Sequence, residues 1–357
     1  MSIIDKTKPV LVTGGSGYMA SWIIKMLLEE GINVHATVRD PLDVQKVEHL
    51  TTLAKVSAGK LKLFKADLLV SGSFDNPIED CELVMHTASP FFITRAKNPE
   101  EELIRPAKEG TRNVLEAAKR TPTMKRVVLT SSAAAIYGDN VDIKLAPGGL
   151  FTEKEWNVTS SAEYNPYPYS KTIAEKEAWA IAKEQDRWDL VTINPGGIIG
   201  PSLSKRKDSM SIGTMIQLGD GTFKTGVPEL WSGMADVRDV ASAHIKAGFT
   251  PKASGRHIIV SGEANLFDLA NILRKHFGDA YPFPRRQAPK FLFWLIAPFL
   301  GYTRKYVSRN VGHPIKFDNS YSKADLGMSY IRVEQTVKDH FQQILDDGLL
   351  GKTVSAR

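Results

Sequence analysis

The chain has 357 residues, 42% of them apolar, and its 46 Lys and Arg residues against 40 Asp and Glu give a formal net charge of +6. This composition is typical of a folded globular protein and excludes collagen-like, coiled-coil and disordered chains. The single cysteine, Cys81, excludes an intramolecular disulfide and a cysteine-based zinc site, and we expect no metal. Basic and acidic residues are mixed along most of the chain, so we expect no nucleic-acid partner.

Two stretches bear on cellular location. The N-terminal residues contain no apolar signal core. The longest apolar run, residues 291–300, has ten residues and contains Pro298, whereas a membrane-spanning helix needs about 20 apolar residues. We therefore predict a cytoplasmic protein.

Short apolar runs rich in β-branched residues alternate with helical patterns along the first two thirds of the chain. Strands that are apolar on both faces and separated by helices form a parallel sheet covered on both sides. The sequence therefore predicts an α/β fold with a doubly wound parallel sheet. The predicted strands are 10–13, 34–38, 61–65, 83–86, 126–130, 190–194 and 257–260, and the predicted helices are 20–30, 99–119, 167–184 and 235–248.

A glycine-rich turn joins the first predicted strand to the first predicted helix. The pattern Gly15-x-Gly17-x-x-Ala20 fits the dinucleotide fingerprint, in which glycines let the backbone approach a pyrophosphate at a helix N-terminus. A purely structural tight turn is the less favoured alternative, because the motif lies between a strand and an amphipathic helix. We predict cofactor contacts from Thr13, Gly14, Gly15, Ser16, Gly17, Tyr18 and Met19.

The residue after the second strand selects between NAD and NADP, because an acidic side chain there binds the ribose 2′-hydroxyl whereas an Arg accommodates the 2′-phosphate. Arg39 stands at this place, 22 residues after Gly17, and its planar guanidinium suits a phosphate. Lys46 adds a second positive charge. The neighbouring Asp40 keeps NAD open, but we predict NADP(H) as the cofactor.

Further residues follow the third and fourth predicted strands. Asp67 and Leu68 follow the third strand and are placed to reach the adenine, and Thr87, Ala88 and Ser89 follow the fourth and are placed to line the nucleotide. Ordinary strand-end caps are the alternative. We include all five in the predicted cofactor site.

Tyr167 and Lys171 are four residues apart at the start of a predicted helix, so their side chains share one face. A neighbouring ammonium lowers the pKa of a tyrosine and makes the phenol a proton donor or acceptor near neutral pH. The pair alone is more typical of a surface helix, but in this chain a phosphate-binding motif precedes it. We predict that Tyr167 and Lys171 carry the chemistry.

Together these motifs resemble the extended short-chain dehydrogenase/reductase family, within it the branch of dihydroflavonol reductases, cinnamoyl-CoA reductases and microbial aldehyde, ketone and methylglyoxal reductases. The resemblance rests on the glycine motif, on Arg39 with segment 46–50, on residues 110–118 and on the turn 194–201, and it extends over nearly the whole chain. It implies a Rossmann fold that binds NADP(H), with Pro195, Gly197 and Ile198 beside the nicotinamide.

The resemblance also implies a catalytic trio of Ser132, Tyr167 and Lys171. Ser132 precedes Tyr167 by 35 residues, the spacing of this branch, and Ser131 is the less favoured choice. The Ser and Tyr hydroxyls would hold a carbonyl oxygen, Tyr167 would deliver the proton, and Lys171 would bind the nicotinamide ribose. The implied reaction is NADPH-dependent reduction of an aldehyde or ketone to an alcohol by hydride transfer.

The predicted substrate site contains Tyr137 and Pro90. Tyr137 stands five residues after Ser132, where dihydroflavonol reductases place a flavonoid-binding Asn, so the resemblance favours the cinnamoyl-CoA side over a flavonoid substrate. The basic run 205–207 is placed to meet a CoA phosphate, although we favour a solvated loop.

The composition changes after residue 194, where Gly- and Pro-rich segments begin, and again at residue 281, where the chain becomes basic and aromatic. We predict an NADP-binding Rossmann domain of residues 1–197, 233–266 and about 318–350, and a smaller, sequence-interleaved substrate-binding lobe of residues 198–232 and 267–317. The lobe would cover the edge of the sheet where ligands bind.

Three other interpretations stay open: a nucleotide-sugar epimerase or dehydratase, a steroid or sterol dehydrogenase resting on a membrane through residues 290–302, and a non-catalytic NADP-binding sensor. We favour an enzyme with a small-molecule carbonyl substrate, and we interpret residues 290–302 as lobe core or a dimer surface before a membrane contact. The resemblance implies a homodimer that pairs through helices 99–119 and 167–184.

Overall fold

The computed structural model describes residues 3–89, 98–206 and 208–350. Within these ranges the chain forms ten strands. They are β1 (Val10–Thr13), β2 (Val34–Val38), β3 (Leu61–Lys65), β4 (Leu83–His86), β5 (Arg126–Thr130), β6 (Asp189–Pro195), β7 (Gly197–Ile199), β8 (Trp231–Asp236), β9 (Gly255–Ile259) and β10 (Gly262–Asn265).

Seven of these strands form one central sheet in the order β3-β2-β1-β4-β5-β6-β9, and every neighbouring pair is parallel. All seven predicted strands are therefore present, five of them with the predicted bounds. Only β6 and β9 differ, beginning one and two residues earlier than predicted and ending within one residue of the predicted position. The prediction of a doubly wound parallel sheet is confirmed.

Eleven α-helices lie in the described ranges. Those that follow predicted patterns agree with them within two residues, except that the pattern at 99–119 divides into a π-helix, Glu100–Ile104, and an α-helix. The helices are α1 (Tyr18–Glu29), α2 (Val44–Val56), α3 (Arg105–Arg120), α4 (Pro166–Lys183), α5 (Met210–Gly219), α6 (Val237–Phe249), α7 (Leu266–Phe277), α8 (Lys290–Ile296), α9 (Arg304–Asn310), α10 (Ser320–Leu326) and α11 (Val333–Asp346).

Two apolar cores cover the two faces of the central sheet. Successive side chains of a strand point to opposite faces, and β1 shows the consequence: Val10 and Val12 pack in one core with α1 and α6, whereas Leu11 packs in the other with α3 and α4. All four residues of β1 and of β4 are buried. Burial on both faces explains why these strands read as uninterrupted apolar runs.

A second sheet of three strands, in the order β10-β8-β7, lies beside the first. The chain enters it through Gly196, where a Cβ atom would lie 2.4 Å from the carbonyl oxygen of Gly233, so only glycine fits. Helices α5, α7 and α11 share an apolar cluster with β8 and β10. The small sheet was not predicted, and the division into a cofactor domain and a substrate lobe stays a prediction.

The stretch 290–302 forms α8 and a short 3₁₀ helix, Ala297–Leu300. Of its apolar side chains only Phe293 and Ala297 are buried. The interpretation of this stretch as lobe core is therefore wrong for most of its side chains, because one side of α8 suffices to cover the small cluster beneath it. Across the described ranges, no helix combines the length and apolar character needed to cross a membrane.

Candidate active site

The glycine turn between β1 and α1 has the shape that a phosphate requires. Gly14 adopts a φ of +69°, and a Cβ atom on it would lie 3.0 Å from the Cα of Ala88. Gly17 caps α1 without a side chain and donates its amide to the Gly14 carbonyl at 2.8 Å. The first amides of α1 are therefore accessible to an anion at the positive end of the helix.

Hydrogen bonds connect the C-terminal ends of β1 and β4 next to this turn. The Thr13 hydroxyl oxygen lies 2.8 Å from His86 Nδ1 and accepts the amides of Thr87 and Ala88 at 3.1 and 3.0 Å. Burial lowers the pKa of His86 to about 3, so this imidazole is neutral. Because Thr13 is fully buried and its hydroxyl is used in these bonds, its predicted cofactor contact rests on its loop position alone.

Arg39 follows β2 directly, is exposed, and forms no salt bridge within the described part of the chain. The adjacent Asp40 carboxylate accepts a hydrogen bond from the amide of Leu42 at 2.9 Å, which stabilises the turn after β2. Lys46 lies in the first turn of α2, paired with Asp43 at 3.2 Å. Arg39 and Asp40 are thus both exposed at the end of β2, and the Asp40 carboxylate is the one engaged in a local hydrogen bond.

Tyr167 lies in the first turn of α4, and Lys171 lies one turn later. Asn165, in the left-handed conformation with φ of +58°, begins the helix. The Lys171 Nζ lies 6.0 Å from the Tyr167 ring centroid and donates to the Ser89 hydroxyl at 3.0 Å. The predicted sharing of one helix face therefore places both side chains beside the loop that follows β4.

The two serines after β5 have different partners. Ser131 is buried and donates to the carboxylate of Glu175, whereas Ser132 is half-buried and hydrogen bonds to Tyr167. Ser132 Oγ also accepts the amide of Ala134 at 3.1 Å. Ser132 is thus the serine that joins the Tyr167 hydroxyl, as expected for the predicted trio.

Burial is the main cause of the shifted pKa values of Tyr167 and Lys171. Burial raises the pKa of Tyr167 to about 12, opposed by its hydrogen bond with Ser132. Burial lowers the pKa of Lys171 to about 8, opposed by the negative charge of Glu175. The expected lowering of the Tyr167 pKa by Lys171 is not found, because the ammonium is directed to Ser89. The Tyr167 hydroxyl is consequently protonated at neutral pH.

Residues 10–261 match the family model described as "NAD dependent epimerase/dehydratase family", about 70% of the chain. The chain belongs to this family. Cinnamoyl-CoA reductase CAD2 of Medicago truncatula is 43% identical over 280 residues, which cover 77% of this chain and 82% of the relative. An anthocyanidin reductase of Vitis vinifera is 38% identical over 282 residues, with coverage of 76% and 81%.

Among solved structures, Gre2 of Candida albicans in complex with NADPH superposes with a TM-score of 0.77 and 29% identity, covering 95% of this chain and 99% of Gre2. The yeast methylglyoxal/isovaleraldehyde reductase Gre2, also complexed with NADPH, gives a TM-score of 0.74 and 27% identity, covering 95% and 98%. These comparisons confirm the resemblance to the reductase branch of the family and the Rossmann fold.

In this family member a buried charge network supports the predicted trio, and the sequence analysis missed it. Glu175 is fully buried and accepts Arg256 Nε at 2.6 Å and Asn194 Nδ2 at 2.8 Å, besides the Ser131 hydroxyl. Its position four residues after Lys171, on the same helix face, was the only signal available. Arg256 lies in β9, far away in the sequence, so the pairing itself was not detectable.

Tyr137 belongs to an aromatic wall beside Ser132. Its ring stacks on Phe151 with centroids 4.8 Å apart and meets Phe317 at 5.7 Å. Burial raises the pKa of Tyr137 well above its usual value, so its hydroxyl stays protonated. Pro90, the other predicted substrate residue, lies outside the described residues.

The remaining predicted cofactor residues lie at strand ends of the central sheet or at the start of the small sheet. Asp67 is exposed after β3 and accepts the amide of Leu69 at 2.8 Å, and the Leu68 carbonyl accepts Asn113 Nδ2 at 2.7 Å. Pro195 ends β6, and Gly197 and Ile198 begin β7. Parallel strands end at one edge of the sheet, which places these residues on the side of the crevice with Tyr167. Among the described residues, no cluster of His, Cys, Asp or Glu could hold a metal ion.

Proposed function

We propose that the protein reduces an aldehyde or ketone to an alcohol with NADPH. The observation that carries the proposal is the convergence of Ser132, Tyr167 and Lys171 beside the loop that follows β4, at the edge of the sheet that holds the glycine turn. The reductases among the relatives, and the NADPH complexes of two structural neighbours, support it.

The residues present fit NADPH. The glycine turn packs tightly on the loop after β4, since a Cβ on Gly14 would lie 3.0 Å from the Cα of Ala88. The first amides of α1 would bind the pyrophosphate, and Arg39 with Lys46 would hold the ribose 2′-phosphate. Lys171 would bind the nicotinamide ribose, with Thr87, Ala88 and Ser89 along the same loop. When bound, NADPH supplies the hydride that the carbonyl carbon accepts.

Side chains of this protein would bind and protonate the carbonyl oxygen of the substrate. Ser132 and Tyr167 hydroxyls would donate to this oxygen, and Tyr167 would transfer its proton as negative charge develops there. Lys171, charged at neutral pH, would stabilise the phenolate that Tyr167 leaves. Glu175 acts as a positioning residue, because it fixes Ser131 and Asn194 beneath these groups.

Tyr137 favours a flat, largely apolar carbonyl substrate, because its ring is only partly buried and an aromatic face binds such groups by stacking. The rings of Phe151 and Phe317 are buried in the core and hold the Tyr137 ring in place. The pocket would lie between the predicted cofactor domain and the predicted substrate lobe. A cytoplasmic location and a homodimer remain part of this proposal as predictions.

The test is the loss of NADPH absorbance with a panel of aromatic aldehydes, α-keto esters, diketones, cinnamoyl-CoA and a dihydroflavonol. Tyr167→Phe is expected to abolish turnover while NADPH still binds, and Tyr169→Phe, two residues along the same helix, serves as the matched control. An unimpaired Tyr167→Phe enzyme would refute the assigned proton donor. NADPH binding with no turnover of any carbonyl would favour a sensor instead.

A further inference from the structure

The surface of α8 and the 3₁₀ helix after it carries an apolar patch that faces solvent. Single exposed apolar residues are ordinary, whereas a contiguous group marks a binding surface. The helix is held from below by Phe293 and Ala297, which pack on Val307 and Val311. The patch, called here the 291–302 patch, consists of Phe291, Leu292, Leu295, Ile296, Phe299, Leu300 and Tyr302, each at least 45% exposed, with Phe299 at 90%.

The patch lies in the most one-sidedly charged part of the chain. From residue 280 to residue 317 there is no Asp or Glu, but there are seven basic residues. Arg304 lies over the Trp294 ring, its guanidinium carbon 4.4 Å from the centroid, at the edge of the patch. The seven are Arg285, Arg286, Lys290, Arg304, Lys305, Arg309 and Lys316. Arg285 is paired with Asp279 and Arg309 with Asp139 and Asp142, so the charges that flank the patch without a carboxylate partner among the described residues are those of Lys290, Arg304 and Lys305.

We propose that the 291–302 patch docks the protein on the surface of an anionic lipid bilayer. Apolar side chains on a short helix enter the boundary between headgroups and acyl chains, and flanking Lys and Arg residues bind acidic headgroups. A second copy of this chain is the poorer occupant, because a twofold contact through the patch places one basic rim against the other. The charge pattern therefore selects the membrane.

The patch is connected through α9 to the segment before Tyr167. Helix α9 packs on α8, and Lys305 Nζ of α9 lies 3.8 Å from the ring centroid of Tyr164. Tyr164 is three residues before Tyr167. Helix α9 therefore connects the patch to the segment that leads into α4, and docking itself does not depend on the proposed reaction.

The experiment is cosedimentation of the full chain with vesicles of phosphatidylcholine alone and of phosphatidylcholine with phosphatidylserine, at low and high salt. We expect binding to the phosphatidylserine vesicles that salt weakens. Phe299→Glu is expected to reduce this binding at least about tenfold, since it removes a large apolar contact and adds a negative charge. Val56→Glu, at an 84% exposed position on α2, is the matched control and should bind like the unchanged protein.

Three outcomes would overturn the docking proposal. The first is an absence of binding to phosphatidylserine vesicles, and the second is an equal loss of binding in Phe299→Glu and Val56→Glu. The third is a dimer in solution that Phe299→Glu disperses, since the patch would then be the contact between two copies.

A different observation carries a second inference, which concerns the segment that leads from β7 to α5. This segment lies across the start of α1 and is held there by three hydrogen bonds that main-chain carbonyls accept. Tyr18 donates its hydroxyl to the Gly200 carbonyl, and Trp22 Nε1 donates to the Pro201 carbonyl at 2.8 Å. Arg206 Nη1 donates to the carbonyl of Ser16, within the glycine turn, at 3.1 Å.

The charge of Arg206 lies among the groups expected around the cofactor phosphate. Burial lowers the pKa of His49 on α2, and the positive charge of Arg206 lowers it further. The hydrogen bond from Arg206 lowers the pKa of Asp208, and the charge of Lys46 acts on it in the same direction. Arg206 pairs with the exposed Asp208 at 2.7 Å, a contact that a phosphate could replace.

We infer that Arg206 is a third cation, beside Arg39 and Lys46, that binds the 2′-phosphate of NADPH. This inference rests on the proposed use of NADPH. It also gives Arg206, in the basic run 205–207 that the sequence analysis interprets as a solvated loop, a role in choosing between NADPH and NADH. Arg206 would bind the phosphate from the segment between β7 and α5, whereas Arg39 and Lys46 would bind it from the end of β2 and from α2.

The test is titration of NADPH and NADH by fluorescence to obtain Kd. Arg206→Ala is expected to raise the Kd for NADPH about tenfold or more and to leave that for NADH unchanged, because a charge-assisted contact to the 2′-phosphate is lost. Arg206→Lys should recover part of the affinity, and the exposed Lys205→Ala is the control.

An unchanged Kd for NADPH in Arg206→Ala, or an equal loss for both cofactors, would overturn the inference. If the unchanged protein itself shows no preference for NADPH, then it is the proposed function that fails. The two failures are therefore distinguishable.

Discussion

Lys171 makes the use of NADPH depend on pH in a way that can be measured. Burial lowers the pKa of its ammonium from 10.5 to about 8, and a shift of that size corresponds to roughly 3 kcal/mol. The ammonium is the form proposed to bind the ribose and to stabilise the Tyr167 phenolate. As the pH rises through about 8, this charge is lost two pH units earlier than on an exposed lysine.

The quantity to measure is kcat/KM for NADPH, because it reports ionisations of the enzyme before the cofactor binds. We predict a plateau near neutral pH and a fall of about tenfold per pH unit above about pH 8. Tyr167, with a pKa of about 12, stays protonated across this range, so the fall belongs to Lys171. Lys171→Met should reduce kcat/KM at neutral pH at least about a hundredfold.

The matched control is Lys176→Met, which removes an exposed lysine from the same helix and should leave the profile unchanged. A profile that stays flat to pH 10 would show that the Lys171 charge is not needed or is not lost. A Lys171→Met enzyme with normal kcat/KM would refute the role of the ammonium outright. Measuring the Kd for NADPH across the same pH range separates binding from chemistry.

Three further substitutions test other parts of the site. Arg39→Ser should raise the Kd for NADPH about 10- to 100-fold and leave that for NADH unchanged, and an equal loss for both would contradict the phosphate assignment. Ser132→Ala should lower kcat about 10²- to 10³-fold, well beyond Ser131→Ala, and steady-state kinetics with the opposite ranking would exchange their roles. Glu175→Ala should destabilise the fold by about 3–5 kcal/mol in denaturant unfolding, because Arg256 is left buried and unpaired, and an unmoved midpoint would count against the network.

The sequence by itself determined the central sheet and the start of the site. Strand runs such as 10–13 and 83–86 are buried on both faces, so their apolar character is visible without any knowledge of their neighbours. The glycine turn and the shared face of Tyr167 and Lys171 are equally local, since both depend on residues only a few positions apart. Local spacing was therefore sufficient for these features.

Local spacing alone could not decide whether Ser131 or Ser132 is the partner of Tyr167. Both follow β5, and the resemblance to a family, not the pattern, favoured Ser132. The structure distinguishes them because Ser131 donates a hydrogen bond to Glu175 of α4, whereas Ser132 is hydrogen bonded to Tyr167. The partner of Glu175 in turn is Arg256, 81 residues further along the chain.

The small sheet and the exposure of the 291–302 patch were decided by tertiary structure for the same reason. Strand β8 pairs with β7 and β10 from distant parts of the chain, and its sequence contains no β-branched residue and no apolar run that would predict a strand. An apolar helix reads the same in the sequence whether its second side is covered or open to solvent. What covers a side chain is a property of neighbours brought together by folding, and periodicity along the chain carries no information about them.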